Sequence, residues 1–222
     1  MHPPAGPPAP HPPTDEDALD RAIVARIREA GLGSRPAWGE LLTRYQSRLY
    51  GVCLRMVGDR NLAADLTQDA FVKVLQGLDS WDGRSKLSTW MIRVTMNACL
   101  SHLRGAKLRN HASLDAPIAG SILRGGSPES ADVRASAGSG HAQSRELEPG
   151  EGVQREQRRQ QVARALSSLE PEQRSVLVLR DVQGLDYQQI AQALGVAEGT
   201  VKSRLFRARM ALREAIEKSP RT

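Results

Sequence analysis

Cysteine is nearly absent: the 222-residue chain has two, Cys53 and Cys99. Both fall inside apolar helical patterns, which argues against a disulfide framework and for free thiols in a reducing compartment. Cys99 and His102 stand one helical turn apart, but two lone ligands make no zinc site. Aromatic residues are scarce at 4%, so each tryptophan is informative. No apolar run is long enough to span a bilayer, and the N-terminus lacks the apolar core of a signal peptide. The expectation is a cytoplasmic protein without membrane insertion. Also missing are a phosphate loop, a metal-ligand spacing and any Ser/His/Asp-type constellation, so neither enzyme chemistry nor a cofactor is expected. What remains is room for one large or two small domains and a net charge of +6, which suits nucleic acid where it is clustered.

The charge is clustered near the C-terminus. From Asp186 to Ile216 the chain reads DYQQIAQALGVAEGTVKSRLFRARMALREAI, two helices around a tight turn. Ile190, Ala191 and Leu194 make the inner face of the first; Val201, Leu205 and Ala208 make that of the second. Asp186 with Gln189 predicts a capping box, and Gly195 a left-handed turn residue. Lys202, Arg204, Arg207, Arg209 and Arg213 follow Gly199 with no acid between. A capped helix, a Gly turn and a basic second helix are the parts of a helix-turn-helix, whose second helix enters the major groove. A basic amphipathic helix can also be a solvated or membrane-surface face, but here the apolar side is narrow and the capped first helix is attached.

Met1 to Pro13 is a Pro-rich tail, extended by composition. Helices are predicted over Asp17 to Ala30, from Ser34 to Gly58, and from Asn61 to Gly77. The second has a stripe of Trp38, Leu41, Leu42, Tyr45, Leu49, Val52, Cys53 and Met56. In the third, Leu62, Leu66, Ala70, Val74 and Leu75 should face inward. Asp65 and Asp69 stand at i and i+4 beside Gln68, where like charges cost helix stability. An ordinary acidic surface and a basic partner explain that pair equally well.

A polar loop, Asp79 to Ser85, precedes a fourth helix over Lys86 to Lys107. Arg84, Lys86, Arg93, Arg104, Lys107 and Arg109 occur with no acid among them, interleaved with Trp81 and Trp90. Aromatics set among cations suit an unstacked single strand. Trp90 reads as a core anchor and Trp81, in its polar loop, as the exposed one. From His111 to Gly150 Gly, Ser, Ala and Pro dominate and periodicity vanishes, a flexible linker too long for one compact domain. Beyond it, helices are predicted over Glu151 to Leu169 and Glu172 to Val182, ahead of the helix-turn-helix pair. The fold class is therefore all-α: a tail (1–16), a helical bundle (17–110), the linker (111–150) and a helix-turn-helix domain (151–218).

The stretches NLAADLTQDAFVKVLQGL, GRSKLSTWMIRVTMNACLSHLR and LEPEQRSVLVLRDVQGLDYQQIAQALGVAEGTVKSRLFRARMAL, in that order, resemble a bacterial extracytoplasmic-function RNA polymerase sigma factor. The resemblance covers roughly Trp38 to Arg109 and Glu151 to Ile216. It implies a non-catalytic initiation subunit with RNA polymerase core as partner, through the clamp helices of the largest subunit and through the flap. Promoter DNA, duplex and single-stranded, is the second partner, and an anti-sigma factor is left open as a third. By position in the motifs, Asp65, Gln68, Asp69 and Phe71 would dock on the clamp helices. Asp79, Ser80 and Trp81, with Asp82 and Gly83, would form a pocket for a flipped base of the downstream element. Arg93, Asn97, Ser101 and Arg104 would line the opened strand. Gly199, Thr200, Lys202, Ser203, Phe206 and Arg207 would read the upstream element as duplex. Departures from the family pattern are the long Gly/Ser-rich linker, Ala197 in place of Pro, Trp81 in place of Phe, the Pro-rich tail and an end soon after the last helix. A stand-alone helix-turn-helix regulator and a protein-interaction module are the competing readings. An acidic face beside an acid-free, Trp-bearing helix is what the sensor domain of such a regulator does not need, and DNA recognition untouched by Lys202→Ala with Arg207→Ala would favour the interaction module.

Overall fold

Of four glycines with left-handed backbones among the described residues, Gly58 (φ 77°) and Gly195 (φ 66°) each end a helix by returning the N–H to a carbonyl four residues back. The computed structural model describes residues 15–30, 34–114 and 149–218, and all regular structure among them is helical. The first half comprises α1 (Asp15–Ala30), α2 (Arg35–Val57), α3 (Arg60–Gly77) and α4 (Leu87–Leu114). The second comprises α5 (Pro149–Ser167), α6 (Pro171–Leu177) running into a π-helical turn (Val178–Val182), α7 (Tyr187–Leu194) and α8 (Glu198–Lys218). Of the predicted tail and linker, only the ends lie within the described residues.

The α2 stripe is buried from Leu41 through Tyr45, Leu49, Val52 and Cys53 to Met56. At its edges Leu42 is exposed and Trp38 half-buried, because an eight-residue stripe is wider than the contact α1, α3 and α4 make with one helix. Asp59 caps α3 by accepting from the Leu62 N–H at 2.7 Å, a local geometry its place before an apolar run encodes. Leu75, predicted to face inward, stands partly exposed. Inside the bundle the Tyr45 hydroxyl donates to the buried Asp20 carboxylate at 2.5 Å, and Arg44 Nε lies 2.9 Å from its other oxygen. Burial, then the bond to Asp20, pushes the Tyr45 phenol well above its ordinary range. Cys53 and Cys99 are free thiols, as expected, but they touch: their sulfurs are 3.7 Å apart across α2 and α4. The bond it donates to Cys53, together with burial, pushes the Cys99 thiol upward.

The predicted capping box is present in full, with the Gln189 N–H donating to Asp186 and the Gln189 side chain accepting from the Asp186 N–H. Val176, Val178, Leu179, Ile190, Val201, Leu205 and Ala208 close the core of the second half.

Both predicted helical halves are there, and they pack on one another. Besides α3, α4 packs on α6 and α7, while α2 meets α5 and α6. The buried apolar residues form one continuous cluster from Ile23 to Ala208. Polar contacts cross the seam between Arg48 and Gln183 at 2.9 Å and between Lys107 and Glu170 at 3.6 Å. The deepest is the buried guanidinium of Arg174, on α6. It donates to the carbonyl of Met56 at the end of α2, and to those of Ser167 and Leu169 at the end of α5. One side chain thus satisfies helix-terminal carbonyls of both halves, where a cation also complements the helix dipole. Burial lowers the Arg174 pKa from its ordinary value.

Candidate nucleic-acid interface

On α8, Val201, Leu205 and Ala208 are buried. That leaves Lys202, Ser203, Phe206 and Arg207 together on the outer face, with Gly199 exposed and Thr200 half-buried at its start. The Ser203 hydroxyl donates to the Thr200 carbonyl at 3.0 Å. Phe206 is 69% exposed, an aromatic among cations. The cations differ in how they are held. Lys202 Nζ lies 2.9 Å from Glu198 and 5.5 Å from the Tyr187 ring, whose centroid is also 5.0 Å from the Arg180 guanidinium. The hydrogen bond to Glu198 raises the Lys202 pKa. Arg209 is tied to Asp181 at 2.7 Å, while Arg207 makes only a long 3.4 Å contact to the Ser203 carbonyl of its own helix. Tyr187, held between two cations, is a residue sequence reasoning missed, since Arg180, Tyr187 and Lys202 come from three separate elements.

The acidic face of α3 is exposed at Asp65, Gln68 and Asp69, and neither carboxylate has an ion-pair partner among the described residues. Phe71 does not join that face: it is 9% exposed, in the core. The reason is helical phase. Six residues beyond Asp65 the helix has turned to about 120° away, whereas seven residues bring it back to within about 20°. Val72 therefore takes the place, 49% exposed, with Leu75 a turn further at 37%. An unpaired acidic pair followed by two exposed aliphatics is a mixed face, and the period alone was enough to find Val72.

The loop before α4 corrects a second expectation. Trp81 is 5% exposed rather than open to solvent. Its indole N–H donates to the Ser85 carbonyl at 3.0 Å, which satisfies the one polar atom the ring must bury. From α1, Arg28 Nη2 donates to the carbonyls of Trp81 at 2.6 Å and Leu78 at 3.0 Å. Asp79 and Ser80 are exposed, and the Asp82 carboxylate accepts from the Arg84 N–H at 3.0 Å. Beside the ring lies a cavity of about 400 Å³ lined by Arg21, Val24, Ala25, Arg28, Trp81, Asp82 and Gly83. Trp90 is buried, as expected. Further along α4, Asn97, Ser101 and Arg104 are exposed and Arg93 is half-buried. At 93, 97, 101 and 104 they share one side of the helix. By their exposure Asn97, Ser101 and Arg104 are not sealed between the two halves, although α4 itself is flanked by both. Among the described residues, no helix is long and apolar enough to cross a membrane.

Comparison with known proteins finds a family match in each half of the chain. Residues 41–109 match the family model for sigma-70 region 2, and residues 159–212 that for sigma-70 region 4. The chain is 30% identical over 206 residues to the ECF RNA polymerase sigma-E factor of Escherichia coli K12, covering 91% of this chain and 96% of that protein. It is 28% identical over 207 residues to the ECF RNA polymerase sigma factor SigW of Bacillus subtilis, covering 89% and 98%. Among solved structures, the sigma factor RpoE of Bartonella quintana in complex with the anti-sigma factor NepR superposes with a TM-score of 0.55 at 23% identity, over 82% of this chain and 98% of that one. CnrH in complex with the cytosolic domain of CnrY gives 0.56 at 21%, over 90% and 99%. These two likenesses concern the fold.

Proposed function

The chain belongs to the extracytoplasmic-function RNA polymerase sigma factors, non-catalytic subunits that direct transcription initiation, and from that premise we propose how its surfaces divide the work. The α3 face of Asp65, Gln68, Asp69 and Val72 docks on the clamp helices of the polymerase core. Its carboxylates find in a basic partner the counter-charges they lack among the described residues, and such pairs raise association rate and specificity. Phe71 supports the helix from behind. The loop at Asp79 to Gly83 with the α4 side of Arg93, Asn97, Ser101 and Arg104 receives the opened strand of the downstream element. Binding energy from stacking and phosphate contacts there replaces lost base pairing. On α8, Lys202, Ser203, Phe206 and Arg207 enter the major groove of the upstream element, with Gly199 and Thr200 close to the backbone. A bidentate contact from Arg207 to guanine discriminates by ~1–3 kcal/mol. The second half also meets the polymerase flap, and an anti-sigma factor, of the kind bound in the two solved relatives, is the partner that would keep these surfaces covered.

The observation that carries this reading is the unpaired acidic and aliphatic face of α3 on the same chain as a helix-turn-helix, which a stand-alone regulator does not require. Run-off transcription with core polymerase tests it. The expected result is promoter-dependent product only when this protein and core are both present. Tight, specific operator binding by the protein alone, with no product on adding core, would overturn it.

A further inference from the structure

The first helix has no part in the surfaces assigned so far, yet it makes the most specific contact to the base-capture loop. One side of α1 is buried through Asp20, Ile23, Val24 and Ile27. The adjoining side, at 21, 24, 25 and 28, follows the i, i+3, i+4, i+7 spacing of a single helical face and lines the cavity beside Trp81. Arg28 reaches fifty residues along the chain to the carbonyls of Leu78 and Trp81. These are the two ends of the tight turn that the Trp81 N–H closes onto Leu78 at 3.1 Å. Asp79 lies 3.9 Å from the same guanidinium. Together with the indole bond to Ser85, this pins the loop at both sides of Trp81, with Asp82 and Gly83 in the lining of the cavity. The lining thus combines Val24, Ala25 and the edge that the largely buried Trp81 leaves open with Asp82 and with Arg21, whose side chain is exposed and carries no ion pair among the described residues.

A lining of apolar and aromatic edges, a carboxylate acceptor for a base edge and an exposed cation match one nucleotide turned out of its stack. We propose that α1 completes the base-capture pocket: Arg28 is a positioning residue that sets the loop, and Arg21 holds the phosphate of the captured nucleotide. This rests on the reading of the loop as the downstream-element site. A rigid fork with several fixed donors can bridge two carbonyls, which a lysine ammonium at the same place does less well.

The test uses the holoenzyme, full-length protein with core polymerase, on a promoter carrying 2-aminopurine at successive downstream-element positions. With wild type, one position brightens as its base leaves the stack. Arg28→Met is expected to lose at least tenfold of the rate of that rise, and Arg28→Lys to recover part of it. Arg21→Gln, at an exposed site, should weaken promoter affinity and lower the slope of log affinity against log salt by roughly 0.7–0.9, the loss of one phosphate contact. If Arg28→Met and Arg21→Gln both match wild type while Asn97→Ala abolishes the rise, the role of α1 is refuted and the downstream site stands. If Asn97→Ala and Arg104→Gln also leave the rise untouched, the reading of the loop itself falls.

Discussion

Arg174 offers the sharpest test of how the two halves are joined. Replacing it by Met keeps the length and apolar stem but removes the donors to Met56, Ser167 and Leu169. The Ser167 carbonyl is only part-buried and can turn to water, so two buried acceptors are left without a partner. At about 1–3 kcal/mol each, that loss is 2–6 kcal/mol. Against it stands the relief of removing a desolvated cation whose Nε has no hydrogen-bond partner. The net expectation is a destabilisation of about 2–4 kcal/mol, and about half of that for Arg174→Lys, which keeps the charge without the fork. The assay exploits composition: the chain's three tryptophans are Trp38, Trp81 and Trp90, all in the first half. Fluorescence therefore follows the first half alone, while circular dichroism at 222 nm follows both. In wild type the two urea transitions should coincide, as expected for one cooperative unit. In Arg174→Met the dichroism midpoint should fall by about 1 M and the two curves should separate, the second half melting first. Coincident curves with an unmoved midpoint in Arg174→Met would refute the claim that this guanidinium couples the halves.

Three further outcomes follow from geometry already described. Reversing charge with Asp65→Lys and Asp69→Lys should slow association with core polymerase at least tenfold at low salt and leave thermal unfolding within a degree or two; unchanged association kinetics would count against the docking face. Asp186→Ala removes one arm of the capping box on α7 and should cost about 1 kcal/mol of stability by denaturant titration, with upstream-element affinity weakened in step. The Tyr45 phenol is raised in the folded protein, so its contribution is fully present below the ordinary value of 10.0 and is lost as pH rises from there towards the folded value. Stability should drop above about pH 10 in wild type and less steeply in Tyr45→Phe, read from urea midpoints across the pH series.

Where a side chain's surroundings are supplied by its own helix, sequence was sufficient. The outer face of α8 follows from 3.6-residue periodicity once Val201, Leu205 and Ala208 are taken as core, and the capping box and Gly195 follow from positions alone. The same rule, applied strictly, separates Val72 from Phe71. There the family motif pulled the aromatic onto a face that helical phase denies it. The loop is different in kind. Judged by its neighbours Asp79, Ser80, Asp82 and Gly83, Trp81 ought to be exposed. It is buried because α1, far away in sequence, lies against it and Arg28 takes its carbonyl. Arg174 was equally hidden, since one more arginine in a polar helix gives no sign of the two helix ends it reaches. The meeting of the Cys53 and Cys99 sulfurs likewise depends on the register of α2 against α4, which neither helix encodes by itself. Burial of a loop residue is a property of its tertiary partners, so polarity of the flanking sequence is weak evidence about it. The consequence for function is specific. On the proposed role of the loop in DNA capture, an exposed Trp81 would have to acquire its pocket on binding, whereas a Trp81 already held by Arg28 and Ser85 is pre-organised and lowers the ordering cost.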